Sequence, residues 1–154
     1  MSKNEKPNVL LVDDNEATCT LVTALLHREF SVETASDGIE ALELLKTNQY
    51  AVILLDLRMP QLDGFGVLDH LAKTAPDVIP RILVLTASLT SGEIARVKKF
   101  DVCGIVQKPF EVEELLSAVK RCAGTDNERT NLGEVICHSG PVILLIADLL
   151  RQLK

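Results

Sequence analysis

What most constrains this chain is an alternation. Short apolar runs give way to amphipathic stretches, and each change is marked by Asp, Gly, Pro or Asn. Repeated switching between these two patterns reads as a series of βα units. Val9-Leu10-Leu11-Val12 stops at Asp13-Asp14-Asn15, side chains suited to cap a helix in which Ala17, Leu21, Ala24, Leu25 and Arg28 follow helical spacing. A second strand, Ser31 to Ala35, precedes Ser36-Asp37-Gly38 and a helix whose apolar face is Ile39, Leu42 and Leu45. The third strand, Ala51 to Leu55, is apolar throughout, which marks a strand buried on both faces of a parallel sheet. After Asp56, Met59-Pro60 and Asp63-Gly64 force a loop before a helix from about Phe65 to Ala72. The fourth strand, Ile82 to Leu85, ends at Thr86. A weakly patterned helix, Gly92 to Lys99, and a fifth strand, Gly104 to Gln107, follow; Lys108-Pro109 then turns the chain into a helix from Val112 to Cys122.

At 154 residues the chain can bury one sizeable core and carry an appendage. Sixteen Lys and Arg against 22 Asp and Glu give a net charge of −6, so the basic footprint of a nucleic-acid binder is missing and direct DNA binding is not expected. The longest apolar run, Val142 to Ala147, is cut by Asp148 far short of the roughly 18 residues of a membrane span. A soluble protein without membrane insertion is expected. Cys19, Cys103, Cys122 and Cys137 are scattered with no C-x-x-C pair, which suggests neither a zinc site nor a disulfide framework and fits a reducing cytoplasm. His27, His70 and His138 lie on separate elements and read as surface residues.

In an open parallel sheet, ligands bind at the carboxyl ends of the strands, and here those ends carry Asp13-Asp14, Asp56, Thr86 and Lys108. Each alone has an ordinary reading: a helix cap, a turn residue, a strand end, a solvated surface charge. Together they do not. Three carboxylates within a few ångströms repel by a few kcal/mol per pair at an effective dielectric of about 20, a cost that implies a purpose. Mg²⁺ relieves such repulsion, keeps several waters and bridges to phosphate oxygens, so the cluster points to a metal and a phosphoryl ligand together.

The same residues resemble the receiver domains of two-component response regulators, especially the single-domain chemotaxis type. The matching motifs are Leu11-Val12-Asp13-Asp14-Asn15, Asp56-Leu57-Arg58-Met59-Pro60 continuing to Leu62-Asp63-Gly64, Leu85-Thr86-Ala87 and Lys108-Pro109-Phe110, with steps of 30 residues from Asp56 to Thr86 and 22 to Lys108. The resemblance covers Pro7 to about Ala123. It implies a flavodoxin-like, doubly wound α/β fold with a five-stranded parallel sheet of order 2-1-3-4-5 and five helices. It also implies that Asp56 is the phosphoacceptor, and that Asp13, Asp14, Asp56 and the backbone carbonyl of Arg58 hold Mg²⁺. Thr86, Ala87 and Lys108 would receive the phosphoryl group. The phosphoryl donor would be a sensor histidine kinase or phosphotransfer protein, and the output a downstream protein partner. The domain would catalyse only its own phosphorylation and hydrolysis and is not expected to be an enzyme in the usual sense. Two positions depart from the pattern: Ile105 stands where the family usually has the aromatic switch residue, and Asp101-Val102 where it usually has Gly-Ala.

These readings divide the chain into a receiver (7–123), a polar linker (124–131) and a C-terminal extension (132–154). In the extension, Ser139-Gly140-Pro141 suits a helix start, and Val142, Ile146, Leu149, Leu150 and Leu153 would share one side of about three turns. A hairpin between Val135-Ile136-Cys137 and Val142 to Leu145 fits the same apolar runs. Such a helix would pack on its own receiver, form a homodimer or dock a partner. A second functional class is therefore an unphosphorylated interaction or dimerisation module that keeps the fold and acts through this extension.

Overall fold

The computed structural model describes residues 5–87 and 89–124. The expected linker and C-terminal extension lie outside the described residues, apart from Gly124. Five strands, β1 (Asn8–Val12), β2 (Ser31–Ala35), β3 (Val52–Leu55), β4 (Ile82–Thr86) and β5 (Gly104–Gln107), alternate with helices α1 (Glu16–Leu26), α2 (Gly38–Thr47), α3 (Gly64–Thr74), α4 (Ser91–Lys98) and α5 (Val112–Ala123). All ladders are parallel and the strand order is β2-β1-β3-β4-β5. Fold class and order are as the sequence implied.

Although the central strands are apolar at all but the first position of β1 and the last of β4, the pleat still sorts their side chains to alternate faces. Leu10, Val12, Ile53, Leu55, Ile82 and Val84 pack with Ala41 of α2, Phe65, Leu68 and Leu71 of α3 and Val97 of α4. Val9, Leu11, Val52, Leu54, Leu83 and Leu85 pack with Val22 and Leu26 of α1 and Leu115, Ala118 and Val119 of α5. The sheet is thus a middle layer covered on both faces. Among the described residues no helix is long and apolar enough to cross a membrane.

Three expectations are corrected. On α1, of the residues expected to face the core, Leu25 is half-buried against it, but Ala17, Leu21, Ala24 and Arg28 face outward, with Leu21 51% exposed, while Val22 and Leu26 are fully buried. The helix carries two apolar stripes, and the one with the larger side chains fills the space above the sheet. Periodicity alone could not choose between them. On α2, Ile39 is 51% exposed and Ala41 takes the buried place beside half-buried Leu42 and Leu45. Most consequentially, Cys103 and Cys122 are joined by a disulfide, contrary to the expectation of four thiols. They are 19 residues apart in sequence, but α5 runs back along β5 and returns Cys122 to the start of that strand.

Boundaries differ by only a few residues, as helix ends do. Thr90 caps α4 through a reciprocal capping box with Glu93, setting its start one residue before the sequence reading. A 3₁₀ segment, Pro76–Arg81, is additional; Pro76 fits its first turn, where no N–H is needed. Gly124, at φ 71°, closes α5 in the left-handed conformation.

Candidate functional site

The acidic side chains come together because two neighbouring central strands end at the same height. The Asp56 N–H donates to the Val12 carbonyl at 2.9 Å, which extends the β1–β3 pairing past the strands and sets Asp56 beside Asp13. The carboxylates of Asp13, Asp14 and Asp56 all lie within 4.8 Å of one another. Asp13 and Asp56 are buried, at 2% and 7% exposure, while Asp14 is exposed. Gly64 permits this closeness: a Cβ there would collide with the Asp56 carbonyl oxygen and the Leu57 backbone, so only glycine lets α3 start directly under the loop.

Among the described residues one cation, Lys108, answers the cluster. Lys108 follows the β5 edge strand, where its backbone N–H donates to the Thr86 carbonyl at 2.8 Å and a cis peptide leads into Pro109. Its Nζ donates to Asp13 Oδ2 at 2.6 Å and stands 3.7 Å from Asp56 Oδ2. Lys108 is therefore no solvated surface charge, as its lone reading would have it. The other Asp13 oxygen accepts from the Asn15 N–H at 2.9 Å, and Asp56 Oδ1 accepts from the Arg58 N–H at 3.1 Å. Burial pushes the Asp56 carboxyl above its ordinary range; the Arg58 N–H and Lys108 oppose this, and Asp13 and Asp14 add to it. Burial, reinforced by Asp13, likewise raises the thiol of Cys19, whose Sγ donates to the Asp13 carbonyl.

Thr86 is fully buried at the end of β4, and its hydroxyl oxygen has no hydrogen-bond partner. An orphaned buried hydroxyl is uncommon and marks a place where a polar ligand would be satisfied. Ala87 follows it at the surface. Ile105 is half-buried against the core beneath α2, α3 and α4, consistent with an ordinary core aliphatic. The side chain of Arg58, which sequence reading passed over in favour of its carbonyl, makes both of its Nη2 contacts with the Glu93 carboxylate, at 3.0 and 3.2 Å. This pair joins the β3–α3 loop to the first turn of α4 across a cleft that Asp14, Met59, Pro60 and Phe65 also line. Its sequence signal was the Thr90-x-x-Glu93 capping pattern, which places Glu93 at the start of α4.

Two buried carboxylates and the exposed carboxylate of Asp14 form an oxygen donor set, open to solvent on the Asp14 side, that suits a hard divalent cation. The family model described as the response regulator receiver domain matches residues 9–120. The transcriptional regulatory protein TctD of Salmonella typhimurium is 38% identical over 144 residues, 89% of this chain and 62% of that protein. The response regulator MprA of a Mycobacterium species is 40% identical over 115 residues, 73% of this chain and 48% of that protein. The chain thus spans between about half and three fifths of the length of these relatives. Among solved structures, chemotaxis protein CheY4 of Vibrio cholerae superposes with a TM-score of 0.69 at 30% identity, over 76% of this chain and 98% of that one. The receiver domain of a sensor histidine kinase from Pseudomonas aeruginosa PAO1, crystallised with magnesium in its active-site cleft, gives 0.70 at 28% identity, over 77% of this chain and 98% of that one.

Proposed function

Since the chain belongs to the response regulator receiver domain family, we propose that it takes a phosphoryl group on Asp56, from a partner histidine kinase or phosphotransfer protein, and signals through protein contacts. The observation that carries this reading is the buried Asp56 held between two further carboxylates and the ammonium of Lys108 at the carboxyl edge of the sheet. An Asp56 carboxylate oxygen would attack phosphorus in line, forming a P–O bond as the bond from phosphorus to the donor's leaving atom breaks, an imidazole nitrogen in a phosphohistidine partner and an acyl oxygen in acetyl phosphate. Mg²⁺, held by Asp13, Asp14, Asp56 and the Arg58 carbonyl, would supply charge masking for the incoming phosphoryl oxygens; a similar receiver carries magnesium in its cleft.

The chain's own residues do the rest. The Arg58 N–H orients the Asp56 carboxylate. Lys108, already 3.7 Å from Asp56, would gain a stronger partner when the phosphoryl group adds roughly −1.5 to −2 charges, and its bond to Asp13 would be shared or lost. The orphaned Thr86 hydroxyl would donate to a phosphoryl oxygen, and Ala87 leaves space beside it. Because Thr86 and Lys108 end β4 and start the turn after β5, their rearrangement reaches the face formed by α4, β5 and α5, near Ile94, Lys98, Ile105 and Gln107, where a downstream partner would bind. The receiver would act in the cytoplasm, contact no nucleic acid directly, and catalyse only its own phosphorylation and hydrolysis.

Incubation with acetyl phosphate and Mg²⁺, followed by intact-mass measurement, tests this. One alkali-labile phosphoryl group is expected, absent in Asp56→Asn and absent with a chelator. A wild-type chain that stays unmodified overturns it. The alternative, an unphosphorylated module acting through residues 132–154, draws on no described residue, whereas the intact acidic set favours phosphorylation.

A further inference from the structure

The disulfide lies at the opposite edge of the sheet from the acidic cluster, and none of the phosphoacceptor chemistry uses it. Cys103 sits immediately before β5, its N–H donating to the Ile82 carbonyl at 2.7 Å where β4 begins. Cys122 sits in the last turn of α5. The bond therefore closes a ring containing all of β5, Lys108 and nearly all of α5. Among the described residues β5 is an edge strand that pairs with β4 alone, so its other side has no ladder to hold it.

We propose that Cys103 and Cys122 form a reversible thiol–disulfide modification site whose closed state clips the Lys108-bearing edge of the sheet. Two features favour reversibility over a permanent staple. First, the fold is complete without the bond: Leu115, Ala118 and Val119 already bury α5 against β1, β3 and β4, inside one of two large apolar clusters. Second, both cysteines are only half-buried, which leaves them open to a small reagent.

The closing step exchanges two thiols for one bond. A Cys103 or Cys122 thiolate attacks a low-molecular-weight disulfide such as glutathione disulfide, forming a mixed disulfide and releasing one glutathione thiolate. The second cysteine then displaces the other, so that the protein sulfurs are oxidised by two electrons, glutathione disulfide is reduced to two thiols, and the two cysteine protons end on the released thiols. The closed ring restrains the opened state of the β5–α5 segment more than its native state, by loop-closure entropy.

The full chain, equilibrated in buffers of graded reduced-to-oxidised glutathione ratio, acid-quenched, alkylated and mapped by peptide mass, reads the bond directly. The expected result is a linked Cys103–Cys122 peptide that passes from minor to major across the series and reverts when thiol is restored. Amides of β5 should exchange on the order of 100-fold more slowly in the closed form, the factor expected for a ring of this size. Cys103→Ser should show the open-form rates at every ratio. Circular dichroism of the reduced chain should remain native. A bond that survives in fully reduced glutathione, one that never forms, equal exchange in the two forms, or unfolding on reduction each overturns the proposal. Loss of phosphorylation in Asp56→Asn leaves these readouts unchanged, so the two readings fail separately.

Discussion

The two edges of the sheet solve opposite problems with the same strands. At the carboxyl edge, buried polarity is left partly unanswered: Asp13 and Asp56 share one cation with exposed Asp14 nearby, and the Thr86 hydroxyl bonds nothing. At the amino edge, among the described residues, no buried side-chain polar atom lacks a partner. Tyr50, just before β3, donates to Glu33 at 2.6 Å and accepts from Asn48, while Arg81 donates to the Tyr50 carbonyl. Cys103 is held by both a backbone bond and the disulfide. Stored electrostatic cost at one edge and satisfied contacts at the other are what a domain needs if it is to change at the first and hold at the second.

If that contrast is right, the largest stability loss among single polar substitutions should come from Lys108→Ala. It would leave two buried carboxylates facing each other without their cation. We expect about 2 kcal/mol from denaturant unfolding, below the roughly 3–5 of a fully buried pair because Lys108 keeps some water. A loss near zero would mean that solvent already screens the cluster. Asp56→Asn should move the other way, stabilising the domain by about 1–2 kcal/mol in metal-free buffer at neutral pH. The sign follows from the raised Asp56 carboxyl. Ionisation costs the folded state more than the unfolded, so the penalty is present at neutral pH, shrinks as pH falls through the folded pKa, and is gone below the ordinary value of 3.8. Thermal melts of both proteins from pH 7 to pH 3 should converge; parallel curves would break the argument.

How much of this was legible beforehand depends on the range over which each feature is encoded. Asp13, Asp56, Thr86 and Lys108 could be read because each sits where an apolar run stops, a local signal, and the rule about strand ends then gathers them. Which partner Lys108 takes could not be read, since Asp13 lies 95 residues away and only the register of β1, β3, β4 and β5 brings them together. The disulfide was hidden for the same reason. The outward face of α1 was misread because Ala17, Leu21 and Ala24 repeat with the same helical spacing as Cys19, Val22 and Leu26. The cap of α4 was local and readable in Thr90-x-x-Glu93, whereas the reach of Arg58 to Glu93 across 35 residues was not.

At the amino edge, Tyr50→Phe should cost about 1 kcal/mol, the net worth of one buried hydrogen bond plus a carboxylate left short of its donor. Burial and then the bond to Glu33 push the Tyr50 phenol up from 10.0 to about 12. A folded value above the unfolded one means that this stability is fully present below pH 10 and is lost as pH rises through the folded value. Tyr50 is the only tyrosine and the chain has no tryptophan, so the ultraviolet absorbance of tyrosinate reports this one group. A midpoint near 10 in the native chain would show that the amino edge is looser than its contacts imply, and Glu33→Gln should lower the midpoint.

The smallest effect separates position from burial as the cause of the contrast. Arg58 and Glu93 stand at the carboxyl edge, yet the Arg58 side chain is 57% exposed and that of Glu93 27%. If mere placement at that edge made charges matter, Arg58→Ala would resemble Lys108→Ala. Screening argues otherwise: an ion pair between half-solvated side chains gains little beyond the entropy spent in holding them, and salt removes most of what it gains. Moreover, the Glu93 carboxyl is held below its ordinary range first by the backbone N–H of Thr90 and only last by Arg58, so the capping box would keep it ionised after Arg58 is gone. Arg58→Ala should therefore leave the denaturant midpoint unchanged at physiological salt, whereas Thr90→Ala, which removes the cap itself, should lower stability by about 1 kcal/mol. A clear loss in Arg58→Ala that disappears in high salt would assign the bridge between the β3–α3 loop and α4 a share of the site's rigidity, and would extend the unanswered-charge region from the buried cluster to its rim.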